Sequence, residues 1–224
     1  MTPTLFFAPH TCAFGSIVAL EWLGAPYRLC RLTPEEIHSE AYRKLNPLAQ
    51  VPTFKSGEGL LTESFAILQH LGFLGLKKKI SFREGTADYD HLNQVMSFLT
   101  TSLHPSIGIT KHPERFADDE SSQEDLKFKA TSETIPRLFT HIESVINRHG
   151  WLTADHPTIA DVYFYGVARG AASFINFDLD FPKVAKLMEK LNSDPGVMFA
   201  NAIEKGTVGK SSGGFKGEVA FKDF

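Results

Sequence analysis

The spacing of hydrophobic positions changes partway along the chain and divides it into two kinds of structure. Thr4 to Ala8 is a short β-prone run ended by Pro9, and Ser16 to Leu23 carries apolar residues at helical spacing closed by Gly24. Tyr27 to Leu32 reads as a second strand, and Pro34 to Leu45 is polar and helical. The region Val51 to Leu61 supplies two further strands joined at Ser56-Gly57. Gly59 to Leu71 then passes from strand into helix, with Phe65, Leu68 and Leu71 on one helical face. The order is βαβαββα, an α/β domain over residues 1–76.

After Gly75 the composition shifts, and residues 77–88 read as a linker that includes Lys77-Lys78-Lys79, a basic run expected to be solvated. From Tyr89 onward no strand alternation is visible, so residues 89–205 are expected to form an all-α C-terminal domain. Its clearest helix start is Thr158-Ile159-Ala160-Asp161 after Pro157, a capping box with a folding role. Residues 206–224 form a tail rich in Gly, Lys and Ser. Its composition predicts mobility, while Phe215, Phe221 and Phe224 offer rings that would dock on the body or on a second subunit. Gly206 to Ser211 fails as a phosphate loop, because its first glycine is two residues too close.

At 224 residues the chain can bury a full core without crosslinks, and two cysteines without an apolar leader fit a reducing, cytoplasmic setting. A formal charge of −3 and a pI near 6.3 argue against nucleic acid as the main partner. No run of 18 apolar residues is present, so no membrane span is expected. Cys12 and Cys30 lie far apart and the histidines lack ligand spacing, so no metal is expected. Gly-x-Ser-x-Gly and dinucleotide glycine patterns are absent too.

The richest stretch for chemistry is Asn46-Pro47-Leu48-Ala49-Gln50-Val51-Pro52-Thr53-Phe54. A cis peptide at Val51-Pro52 would turn the Val51 amide and carbonyl outward as a free strand edge, to which an extended peptide could pair. Downstream, Thr62 or Ser64 would cap the following helix. Its first-turn amides suit a carboxylate and the Glu63 side chain suits an ammonium, so together they would recognise an α-amino acid terminus. The plainer alternative is that Thr62 and Ser64 only cap the helix and Glu63 is solvated.

Pro9-His10-Thr11-Cys12, the Gln50-Val51-Pro52 turn and Thr62-Glu63-Ser64 resemble, in order and spacing, the glutathione-binding domain of cytosolic glutathione transferases. The likeness extends over nearly the whole chain and is greatest to the bacterial beta class. It implies a thioredoxin-like N-terminal domain followed by the helical one, and a homodimer. It also implies that Gln50, Val51 and Pro52 present the backbone edge to the cysteinyl unit of glutathione, and that Glu63 and Ser64 hold its γ-glutamyl end. A basic ligand for the glycyl carboxylate falls near Pro34 in this chain, leaving His38 or Lys44 to substitute.

Cys12 sits where the first strand gives way to the first helix, so helix amides would lower its pKa and leave it largely thiolate. Position alone equally allows a packed, inert thiol. The resemblance places Cys12 against the glutathione sulfur. Thr11 is a second candidate donor to that sulfur, or else a turn cap. Leu103-His104-Pro105 resembles a beta-class histidine facing the sulfur, with Phe14, His104 and Ile107 expected to line an apolar acceptor pocket between the domains. The expected function is conjugation of the glutathione thiolate, as co-substrate, to a small hydrophobic electrophile in detoxification. The alternatives are a glutathione-dependent thiol-disulfide reductase or lyase using Cys12, and a transferase-like binding module without turnover.

Overall fold

A computed structural model describes residues 2–224. The chain forms two compact units, residues 1–83 with 192–224, and residues 84–191. Residues 192–224 therefore group with the N-terminal sheet, where the sequence divides them between the helical domain and a tail.

In the first unit the strands β1 (Thr4–Phe7), β2 (Tyr27–Arg31), β3 (Thr53–Ser56), β4 (Gly59–Thr62) and β5 (Phe215–Glu218) form one mixed sheet in the order β4-β3-β1-β2-β5. β1 runs parallel to β2 and antiparallel to β3, β3 is antiparallel to β4, and β5 is parallel to β2. All four β1 residues are buried, as expected for a central strand covered on both faces. Helix α1 (Phe14–Leu23) ends at Gly24, whose φ of 64° supplies the left-handed residue that closes it. The expected helix Pro34 to Leu45 is two pieces, α2 (Pro34–His38) and α3 (Glu40–Arg43). Ser39 breaks it by adopting an extended conformation and accepting from the Tyr42 N–H, which makes it a fresh N-cap. Helix α4 (Ser64–Leu74) follows β4.

In the second unit α5 (Ala87–Phe98) starts at a Thr86 cap, and α6 (His104–Lys111), α7 (Glu120–Lys129), α8 (Ile135–Val145), α9 (Ile159–Ala168), α10 (Phe177–Asp180) and α11 (Pro182–Asn192) follow. Two π-helical turns, Leu99–Leu103 and Ala130–Thr134, lie just ahead of Pro105 and Pro136. A proline ring clashes with the carbonyl four residues earlier, Thr101 and Ser132 here, and widening that turn relieves the clash without ending the helix. Asp161 is fully buried at the start of α9 and accepts from the Leu152 N–H (2.9 Å), the Thr158 N–H (2.8 Å) and the Thr158 hydroxyl (2.9 Å).

The last helix, α12 (Pro195–Glu204), packs on α1, where the Trp22 indole donates to the Asp194 carboxylate at 3.0 Å. Among the described residues no helix is long and apolar enough to cross a membrane.

Candidate functional site

The Val51 segment is held on both flanks from beneath. The Tyr42 hydroxyl donates to the Gln50 carbonyl at 2.8 Å and lies 2.9 Å from the Thr53 hydroxyl, which must therefore donate to it. Burial pushes Tyr42 up to about 12, although the Thr53 hydroxyl pulls the other way, so it stays protonated at neutral pH. Asn46, also buried, donates to the same Gln50 carbonyl at 2.7 Å and accepts from the Leu48 N–H at 3.1 Å. The Val51–Pro52 peptide is cis. Between these anchors the Val51 carbonyl accepts from the Cys12 thiol at 3.7 Å, and its N–H has no hydrogen-bond partner among the described residues. Gln50 is exposed, Val51 half-buried and Pro52 buried.

The tip of α4 lies against this edge through Ser64. Contrary to the expected Thr62 or Ser64 cap, the N-cap is Glu63, which makes no side-chain cap hydrogen bond. Thr62 is still paired with Thr53 in the sheet, so the chain turns from strand to helix within one residue. Glu63 absorbs that turn at φ 68°, ψ 122°, a conformation costly for a residue with a Cβ. Its side chain is exposed, and the first amides of α4 are left without a capping side chain, a ready seat for an anion.

Cys12 precedes Ala13, the N-cap of α1, and is half-buried with a desolvated sulfur. The expected thiolate is not what this environment favours. Burial pushes the thiol up, the Ser64 hydroxyl and the Cys12 amide pull it down by less, and the Glu63 charge adds to the rise. The helix end is where the sequence puts it, but loss of water outweighs its dipole. Thr11 gives its one hydroxyl proton to the Ala8 carbonyl at 2.7 Å and accepts from the Ala13 N–H at 3.4 Å, the cap role. The turn is tied to α12, since the His10 N–H donates to buried Glu204 at 2.9 Å.

The structure thus brings together Cys12, Val51 with its neighbours Gln50 and Pro52, and Ser64, with Glu63 adjoining. His38 and Lys44 are exposed at the ends of α2 and α3, and no hydrogen bond or ion pair joins either to the cluster among the described residues. Tyr42 and Glu204 are the participants that linear reading missed; neither belongs to a local motif.

His104 belongs to the second unit. Its Nδ1 lies 3.0 Å from the Tyr163 hydroxyl, and burial, helped by Lys111, pushes its pKa down, so the ring is neutral at neutral pH. It lines a cavity of about 210 Å³ with Gly108, His112, Arg115 and Phe116. Ile107 is 3% exposed and Phe14 fully buried. Among the described residues no group of three or more His, Cys, Asp or Glu is placed to hold a metal.

Residues 12–73 match the glutathione S-transferase N-terminal domain and residues 113–198 its C-terminal domain. Glutathione S-transferase GST-4.5 of Xanthomonas campestris is 26% identical over 75% of this chain and 81% of its own length. Elongation factor 1-gamma 3 of Oryza sativa is 24% identical over 82% of this chain but only 44% of its own length. A glutathione transferase homolog from Sulfitobacter, solved with bound glutathione, superposes with a TM-score of 0.82 at 23% identity, covering 92% of this chain and 99% of its own. With both domain models matched in order and the same fold throughout, the chain belongs to the glutathione S-transferase family.

Proposed function

We propose that this protein is a glutathione transferase of beta-class type that conjugates glutathione to a small hydrophobic electrophile. The observation that carries this reading is the meeting of a free Val51 N–H, the Cys12 thiol, the Ser64 hydroxyl and the uncapped tip of α4 at one edge. The cysteinyl unit of glutathione pairs with Val51, while the α-carboxylate of the γ-glutamyl unit takes the α4 amides and the ammonium of that unit takes Glu63. Cys12 then acts as a neutral S–H donor that stabilises the glutathione thiolate. That sulfur forms the new S–C bond, the electrophile releases its leaving anion, and the thiol proton passes to solvent. His104, neutral and in hydrogen-bond reach of Tyr163, serves the acceptor side as a donor. His38 or Lys44 takes the glycyl carboxylate, standing in for the basic residue whose place falls near Pro34 in this chain.

A binding role without turnover is the second reading, favoured by the likeness to elongation factor 1-gamma. Calorimetry with glutathione and initial rates with an activated aryl halide separate the two. Micromolar to millimolar binding, weakened at least tenfold by Ser64→Ala, together with turnover supports the transferase. Binding without turnover supports the second reading, and no binding removes both.

A further inference from the structure

The tail contradicts its composition. Glu21 is only 3% exposed, and its carboxylate accepts from the Tyr27 hydroxyl (2.5 Å), the Ser211 hydroxyl (2.8 Å) and the Ser212 N–H (2.6 Å). Two of those three donors come from the tail, and a buried carboxylate stripped of them would be costly, so the tail's seat is built into the core. From there β5 lies along β2, with the Val219 N–H donating to the Leu29 carbonyl at 2.8 Å and Arg31 3.5 Å from Glu218.

Past β5 the chain lays Phe221 and Phe224 over Phe6 and Tyr42. Phe221 meets Tyr42 edge-on at 5.9 Å and Phe6 at 6.4 Å, while Phe224 meets Phe6 at 4.8 Å and takes the Lys55 ammonium over its face at 5.1 Å. Tyr42 is shared between two jobs. Its ring is walled by Phe221, and its hydroxyl bonds the residues on either side of Val51–Pro52, Gln50 and Thr53.

We infer that the C-terminal segment is a positioning element for the Val51 edge, with Phe221 acting on that edge through Tyr42. Seating Phe221 fixes the Tyr42 ring, the fixed ring holds its hydroxyl on Gln50 and Thr53, and the Val51 N–H and carbonyl are thereby presented at a constant angle. The inference depends on the glutathione reading only for the identity of the ligand.

The test is a double-mutant cycle on the full chain with Phe221→Ala, Tyr42→Phe and the pair. It is read by glutathione calorimetry and by amide hydrogen exchange of residues 50–55. Each single change is expected to weaken glutathione about tenfold, and the pair also about tenfold rather than a hundredfold, because both break one linkage. Exchange of residues 50–55 rises about tenfold in Phe221→Ala, while α9 amides are unchanged. Phe221→Tyr, which keeps the ring, restores both readouts. Multiplicative losses, or unchanged affinity and exchange in Phe221→Ala, overturn the inference. Should Phe221→Ala not fold, Phe221→Leu takes its place under the same criteria. Should the unaltered chain bind no glutathione, exchange alone decides: a rise in residues 50–55 keeps the tail linkage while the transferase reading falls, and no rise removes the linkage.

Discussion

Replacing Cys12 by serine and by alanine gives different results for a donor and for a nucleophile. An ordinary thiol is about 3% ionised at pH 7, and burial holds Cys12 below that fraction. It therefore serves as an S–H donor whose present acceptor, the Val51 carbonyl at 3.7 Å, is exchanged for the glutathione thiolate. A hydrogen bond to a charged partner is worth about 1.5–3 kcal/mol, so Cys12→Ala should lose roughly 10- to 150-fold in kcat/KM for conjugation. Cys12→Ser keeps a donor in the same turn and should stay within about fivefold. The assay is initial-rate conjugation of an activated aryl halide at pH 6.5, with calorimetry to confirm that glutathione still binds. A Cys12→Ser protein as inactive as Cys12→Ala would refute the donor role, and so would alkylation of Cys12 at pH 7 faster than free cysteine. Either result would favour a reductase or lyase that uses Cys12 as its nucleophile.

Four further outcomes follow from the geometry. Asp161→Ala strands three buried donors and should destabilise the protein by about 3–5 kcal/mol in urea titration. Burial pushes Asp161 up to about 6, so the folded chain holds this proton more tightly than the unfolded chain, with its ordinary value near 3.9. The group's contribution to stability should then fall by about 3 kcal/mol as pH rises from about 4 to 6 and stay level above, a fall that the Asp161→Asn profile lacks. Glu63→Gly releases a positive φ, so it should hold or raise stability by about 1 kcal/mol while weakening glutathione at least tenfold; a clear fall in Tm would contradict the strain. Gly214→Val puts a Cβ 2.5 Å from the Ala25 carbonyl, so β5 must move and trypsin should cut at Lys210 or Lys216 about tenfold faster, whereas unchanged cleavage would show that the strand had adapted.

What could be read in advance was whatever depends on near neighbours. Gly24 closes α1 because a left-handed residue is needed there, whereas the break at Ser39 goes unread, although its cause is as local, a hydroxyl that reaches the Tyr42 amide three residues on. Even the two widened turns have local causes in Pro105 and Pro136, although only the backbone shows that the helix widens instead of stopping. The other misses share a different cause. Cys12 stands at a helix start, as its position suggests, yet ionisation depends on how much water the fold removes around the sulfur, and the groups that meet that sulfur, the Val51 carbonyl and the Ser64 hydroxyl, lie 39 residues or more away in sequence. Tyr42 is one aromatic in a polar helical stretch until the fold lays its hydroxyl against Gln50 and Thr53. In the tail the two signals part: Phe215, Phe221 and Phe224 dock on the body as their rings suggest, whereas composition alone points to mobility. Gly, Ser and Lys mark a segment that cannot build a core of its own, but the segment needs none. Glu21, Tyr27 and the Phe6–Tyr42 cluster form the other half of that core, and Gly214 is small enough to pass the Ala25 carbonyl on the way to it. Composition reports what a segment can do alone, whereas order at this edge is a property of the pair.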